Sequence, residues 1–167
     1  KGYNVDTKST GLEQIHNISR LWNASFGHAY HYQAGLTLQQ KWMAELFCNI
    51  LLHCYIAEIE PDQLRALTIF PQMVINSGTS GFKYTSLTDI EDHYEEIGEN
   101  HARNYGWYQS RWHSSARQIY DSAGVEGFIK LWNAFMKQKT VLNDQELINL
   151  LSTVHQSLAD VLLKWDN

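Results

Sequence analysis

Proline and cysteine are scarce in this chain, with two of each in 167 residues. With only Pro61 and Pro71 to interrupt it, and ten glycines gathered at a few points, the chain has the punctuation of long helices joined by short connectors. Two cysteines cannot staple a scaffold. Cys48 and Cys54 are six residues apart in what reads as one helix, roughly 9 Å of axial rise, too far for an easy bridge. They are expected as free thiols in a reducing compartment, which favours the cytoplasm.

Basic charge is also sparse. Thirteen Lys and Arg stand against eighteen Asp and Glu, a formal charge of −5, and nothing gathers cations beyond a pair such as Lys137 and Lys139. That distribution disfavours nucleic acid as a partner. Long apolar runs are missing too. Leu46 to Ala57, the strongest, is broken by Asn49 and His53 and is shorter than the roughly 18 residues of a membrane span, so no membrane helix is expected. The first residues lack the basic, apolar and small-residue succession of a signal peptide. Because residue 1 is Lys rather than Met, an upstream segment stays open.

What the chain does have is 44% hydrophobic and 13% aromatic content, enough for one domain with a sizeable core. The expectation is a single, mainly α domain, a helical bundle with a short strand conceivable around Tyr3 and Val5. From Gly11 to Ala34, Leu12, Ile15, Ile18, Leu21, Trp22 and Phe26 form one apolar stripe, with Gly35 as a stop. Thr37 and Gln40 have capping-box spacing, and a second helix should run from Leu38 to Glu60, ended by Pro61. These two form a long antiparallel hairpin, with residues 61–167 supplying the covering helices. A short helix starts at Pro61 and fades near Pro71. Ser77 to Ser86 reads as a mobile loop or lid. Thr88 and Glu91 should cap a helix to Asn100. Further helices are expected over Tyr105–Ser122, stopping at Gly124, and over Val125–Lys137 and Asp144–Trp165.

Eight histidines direct attention to metal-ligand spacing. Glu13 and His16 give one Glu-x-x-His, but a carboxylate-bridged di-iron bundle needs two, and Ile90 and Gly98 stand three before His93 and His101. The hairpin offers a more specific pair. His28, about six residues before the turn, and Glu45, about seven into the next helix, come to the same level. An imidazole and a carboxylate there are either two zinc ligands or a plain hydrogen bond. Neither the acidic run from Asp89 to Glu99, which reads as a solvated helix face, nor Asn17-Ile-Ser19 and Asn23-Ala-Ser25, glycosylation triplets on a helix with a core face, adds a site. No phosphate loop, Cys-x-x-Cys pair or nucleophile elbow is present. The tryptophans at 22, 42, 107, 112 and 132 read as core anchors or as the lining of an aromatic cleft.

The run Ala24-Ser25-Phe26-Gly27-His28, with Trp42-Met43-Ala44-Glu45 after it, resembles the gluzincin type of zinc metallopeptidase. In that family His-Glu-x-x-His on one helix is followed by a Glu on the next. On this likeness Ala24 stands at the first zinc His and Ser25 at the catalytic Glu. His28 and Glu45, with a spacer of sixteen residues between them, match the remaining two ligands, and Trp42 the residue three before the Glu. The resemblance extends through Asn104-Tyr105-Gly106-Trp107-Tyr108-Gln109 to the helical part of bacterial proteins of this kind, covering roughly Leu12 to Met136. It implies a cleft bordered by Ala24, Ser25, Trp42 and Gln109, with Tyr105 or Tyr108 in the role of the oxyanion-stabilising tyrosine. His31, one turn from His28, is a substitute ligand if it faces the same cleft.

The losses have a chemical meaning. A catalytic zinc needs three protein ligands and a base for its water. Alanine cannot ligate, and an ordinary serine hydroxyl is no base at neutral pH. The expected function is therefore a degenerate metallopeptidase-like domain without peptide hydrolysis, binding zinc weakly if at all and a peptide or protein partner in its cleft. The competing readings are a metal-dependent hydrolase using His28 and Glu45 with a non-standard third ligand, and a helical interaction module with no active site. Oligomeric state is not legible.

Overall fold

The computed structural model describes residues 28–36 and 38–166, and every element among them is helical. The proposed N-terminal strand and all of the first predicted helix before His28, with Glu13, His16, Trp22, Ala24, Ser25 and the glycosylation triplets, lie outside the described residues. The described end of that helix, α1 (His28–Gln33), closes as expected at Gly35, whose φ of 67° suits the left-handed position. The Leu36 N–H then reaches back to the His31 carbonyl at 3.0 Å, and buried Leu36 carries the chain inward.

Helix α2 (Lys41–Ile59) is the centre of the bundle, with twelve of its nineteen residues buried. By length and composition it is apolar enough to cross a membrane, but it is mostly buried inside the fold and carries buried Glu45, Asn49 and His53. It begins three residues later than predicted, and Gln40 supplies no side-chain cap. A residue of a later helix does that work instead: Glu91 accepts from the Trp42 N–H at 2.9 Å, and the Lys41 ammonium reaches the Glu91 carbonyl at 2.9 Å. A carboxylate at a helix N-terminus also complements the dipole there.

After a single 3-10 turn at Pro61–Gln63, α3 (Leu64–Asn76) runs straight past Pro71, where the sequence suggested an end. Proline removes one helical hydrogen bond, but α3 packs against the long helix at Ala102–Lys137, and tertiary packing outweighs local propensity. The cap of α4 (Leu87–Asn100) is Ser86 with Asp89 rather than Thr88 with Glu91. The Asp89 carboxylate accepts from both Thr85 and Ser86 N–H at 2.9 Å, while Glu91 is occupied with α2.

Helix α5 (Ala102–Lys137) is broken at Gly124, at the predicted stop. The predicted last helix is two, α6 (Asp144–Val154) and α7 (Gln156–Leu163), because His155 is extended and its ring accepts from the Ser157 N–H. Beyond this break Trp165 stacks on Tyr108 and borders Trp107 and Trp112.

Gly124 has φ 60° and ψ −168°, a region essentially closed to side-chain-bearing residues, while a Cβ there would meet nothing within 4 Å. Gly124→Ala should therefore cost about 1–3 kcal/mol through the backbone alone. Gly98→Ala, on an exposed helical glycine with equally open surroundings, should stabilise by about 0.5–1 kcal/mol. Urea unfolding of the two variants measures both, and equal effects would contradict the strain at Gly124.

Candidate functional site

A glutamate in the central helix is the first thing the packing must accommodate. Glu45 is 2% exposed. His28 Nε2 lies 3.4 Å from Glu45 Oε1, so the two residues that the sequence set at one level do meet. The Tyr94 hydroxyl of α4 donates to the same oxygen, and Gln109 of α5 donates to Oε2 at 2.8 Å. Burial would raise the carboxyl pKa, but hydrogen bonds from His28, Tyr94 and Gln109 outweigh it and hold the group below the usual carboxylate range. The same contact raises the pKa of His28 against a smaller effect of burial.

The network continues down α2 and α5. Asn49 donates to the Glu45 carbonyl at 2.8 Å and lies 3.4 Å from the Gln109 carbonyl oxygen, so its own oxygen is left to face His113 Nδ1. Nδ1 of His113 must then carry the hydrogen. Burial, with His53 nearby, pushes this imidazole down to about 3, so it is neutral at physiological pH. The Gln109 amide also donates to the Tyr105 hydroxyl at 2.9 Å. Glu45, Asn49 and His53 on α2 thus face Tyr105, Gln109 and His113 on α5, both sets at intervals of four, and the paired numbers rise together, so the two helices run parallel here.

The donor pattern also fixes His28. Its Nε2 faces a carboxylate and carries hydrogen, which leaves a lone pair on Nδ1 in the neutral ring. That atom lies 3.1 Å from His31 Nε2. Cys48, on α2, completes a group: one ligand atom from each of His28, His31 and Cys48 lies within 4.8 Å of the others. Burial and then the Glu45 charge push the Cys48 thiol up to about 12. Both cysteines are free, as expected, and both are buried.

The structure gathers His28, His31, Glu45, Tyr105 and Gln109 and separates other residues singled out in the sequence. Tyr108 is turned away: its hydroxyl donates to the Ser86 carbonyl at 2.8 Å and its ring is sandwiched in the aromatic core. Trp42 is 2% exposed, a core residue rather than a cleft wall. The loop expected as a lid is pinned at its second half, while residues 77–81 are exposed. Asn104 bonds both the N–H and the carbonyl of Tyr84, and the Trp165 indole donates to the Thr85 carbonyl. Tyr94, Asn49, His113 and Cys48 were not foreseen. Comparison of the chain with family models, curated proteins and solved structures finds no match.

A neutral buried His113 makes stability fall in acid. Its folded pKa lies below the unfolded value of 6.5, so its contribution is complete above that value and is lost as pH falls toward 3. His53, lowered chiefly by burial, acts in the same sense; His28, raised, contributes below 6.5 and opposes them. His113 alone should remove about 1.4 kcal/mol between about pH 7.5 and 5.5. Chemical denaturation at the two pH values should show this loss, and His113→Gln should reduce it.

Proposed function

We propose that this chain is a metallopeptidase-like helical domain that has given up peptide hydrolysis and retains its polar site for binding, with a peptide or protein as the partner class. The meeting of His28 and Glu45 at 3.4 Å carries this reading, since these are the two residues that the likeness to gluzincins leaves intact.

The same geometry argues against a catalytic zinc of the family type. Glu45 Oε1, the oxygen nearest His28, already accepts from Tyr94, and Oε2 accepts from Gln109. With its pKa held low, this carboxylate is also a weak base. Ala24 and Ser25 bring neither a ligand nor a general base. Hydrolysis by a non-standard ligand set is the second reading, supported by His31 beside His28, and it lacks a residue to activate water.

Zinc-supplemented protein should give no turnover of fluorogenic peptide mixtures, and turnover abolished by Glu45→Gln would overturn the non-hydrolytic reading. Ala24→His with Ser25→Glu should raise zinc affinity in calorimetry, because the pair completes the His-Glu-x-x-His pattern that the likeness to gluzincins implies for residues 24–28. A folded double variant with unchanged affinity would overturn the kinship.

A further inference from the structure

Two imidazoles and a thiol converge beside Glu45. His31 is 4% and Cys48 1% exposed, while the His28 side chain keeps 26% of its surface and gives access from outside. In a tetrahedral zinc centre with bonds of 2.0–2.1 Å, two nitrogen ligands stand about 3.3 Å apart. His28 Nδ1 and His31 Nε2 are 3.1 Å apart, and the Cys48 sulfur lies within 4.8 Å of ligand atoms on both rings. A modest rotation of side chains closes that triangle on one ion.

Glu45 sits behind this group rather than in it. Its carboxylate faces Nε2 of His28, the nitrogen opposite the one that faces His31. Metal-bound histidines commonly donate their second ring N–H to a carboxylate, which fixes the tautomer and strengthens the ligand. Here that carboxylate is itself held by Tyr94 and Gln109, from two further helices. Charge agrees as well: a divalent ion balances one buried carboxylate and one thiolate, where either anion alone is costly to bury. Sulfur with two imidazoles suits zinc and not magnesium or calcium, which take oxygen ligands.

We propose that His28, His31 and Cys48 bind one zinc ion, with Glu45 as the positioning residue that orients His28. This deepens the reading of the site as a retained binding site, and it needs no descent from a peptidase. Binding is coupled to loss of the thiol proton to solvent, giving a zinc–thiolate bond.

The test uses the full reduced chain freed of metal. Calorimetry should give one zinc per chain, and cobalt(II) should give a thiolate-to-cobalt charge-transfer band in the near ultraviolet. Cys48→Ala should abolish the band, whereas Cys54→Ala, six residues on and outside the group, should keep it. Glu45→Gln should weaken zinc binding about 10–100-fold with the band retained. No stoichiometric zinc on the unmodified chain, or a band that survives Cys48→Ala, would overturn the site; unchanged affinity in Glu45→Gln would overturn the role of Glu45. The unmodified chain decides the first point even where a variant fails to fold. Failure here leaves the kinship standing if Ala24→His with Ser25→Glu still gains zinc affinity. Conversely, a Cys48-dependent band beside an inert double variant keeps the zinc site and removes the kinship.

Discussion

A buried carboxylate organises this bundle. Glu45 is 2% exposed, and an ionised group at such a position is tolerated only when its lone pairs are occupied by donors. The donors come from three different helices: His28 from α1, Tyr94 from α4 and Gln109 from α5. A hydrogen bond to a charged group is worth about 1.5–3 kcal/mol, so each helix is held in rotation and height by a contact that apolar packing could not specify. Glu91 extends the same logic to the start of α2, where α4 supplies the missing cap. Through these two glutamates, α4 is tied to the central helix at both a terminus and a core position.

Below Glu45 the polar contacts continue as a seam between α2 and α5. Asn49 and His113 each have their hydrogen-bonding roles dictated by the neighbour above, so the orientation of one amide propagates along the row. The seam ends at His53, which with Arg65, Arg117 and Asp121 borders an open cleft of about 420 Å³ beside α3. A core with polar groups at every fourth residue of two facing helices is locked against sliding, because a shift by one turn would unpair several buried groups together.

Much of the helical plan was legible because it depends on local chemistry. Gly35 and Gly124 both adopt positive φ at the predicted stops, and the level-matching of His28 with Glu45 needed only a short turn and the rise per residue. The misplaced ends have a common cause. Thr88–Glu91 has the right spacing, yet the Glu91 carboxylate is drawn to another helix, while Thr37 lies outside the described residues. Pro71 fails as a terminator because the helix that contains it packs against α5. Tyr94, which donates to Glu45 from 49 residues away, left no local trace. The signal that was present, Glu45, Asn49 and His53 at intervals of four in the most apolar helix and Tyr105, Gln109 and His113 likewise on α5, reads first as interruption of a core and only with the fold in hand as a pair of matching rows.

Trp165 gives the molecule an order of assembly. Its indole holds the Thr85 carbonyl across eighty residues, its ring lies on Tyr108, and its own carbonyl is taken by Arg111 at 2.6 Å. A chain leaving the ribosome presents α2 to α5 well before this residue. Through that interval the segment before α4 has its contacts with α5 but not its outer clasp, and the aromatic face of α5 stands open. Until Trp165 joins, Trp107, Tyr108 and Trp112 lack the ring that all three border, so this part of the core closes last.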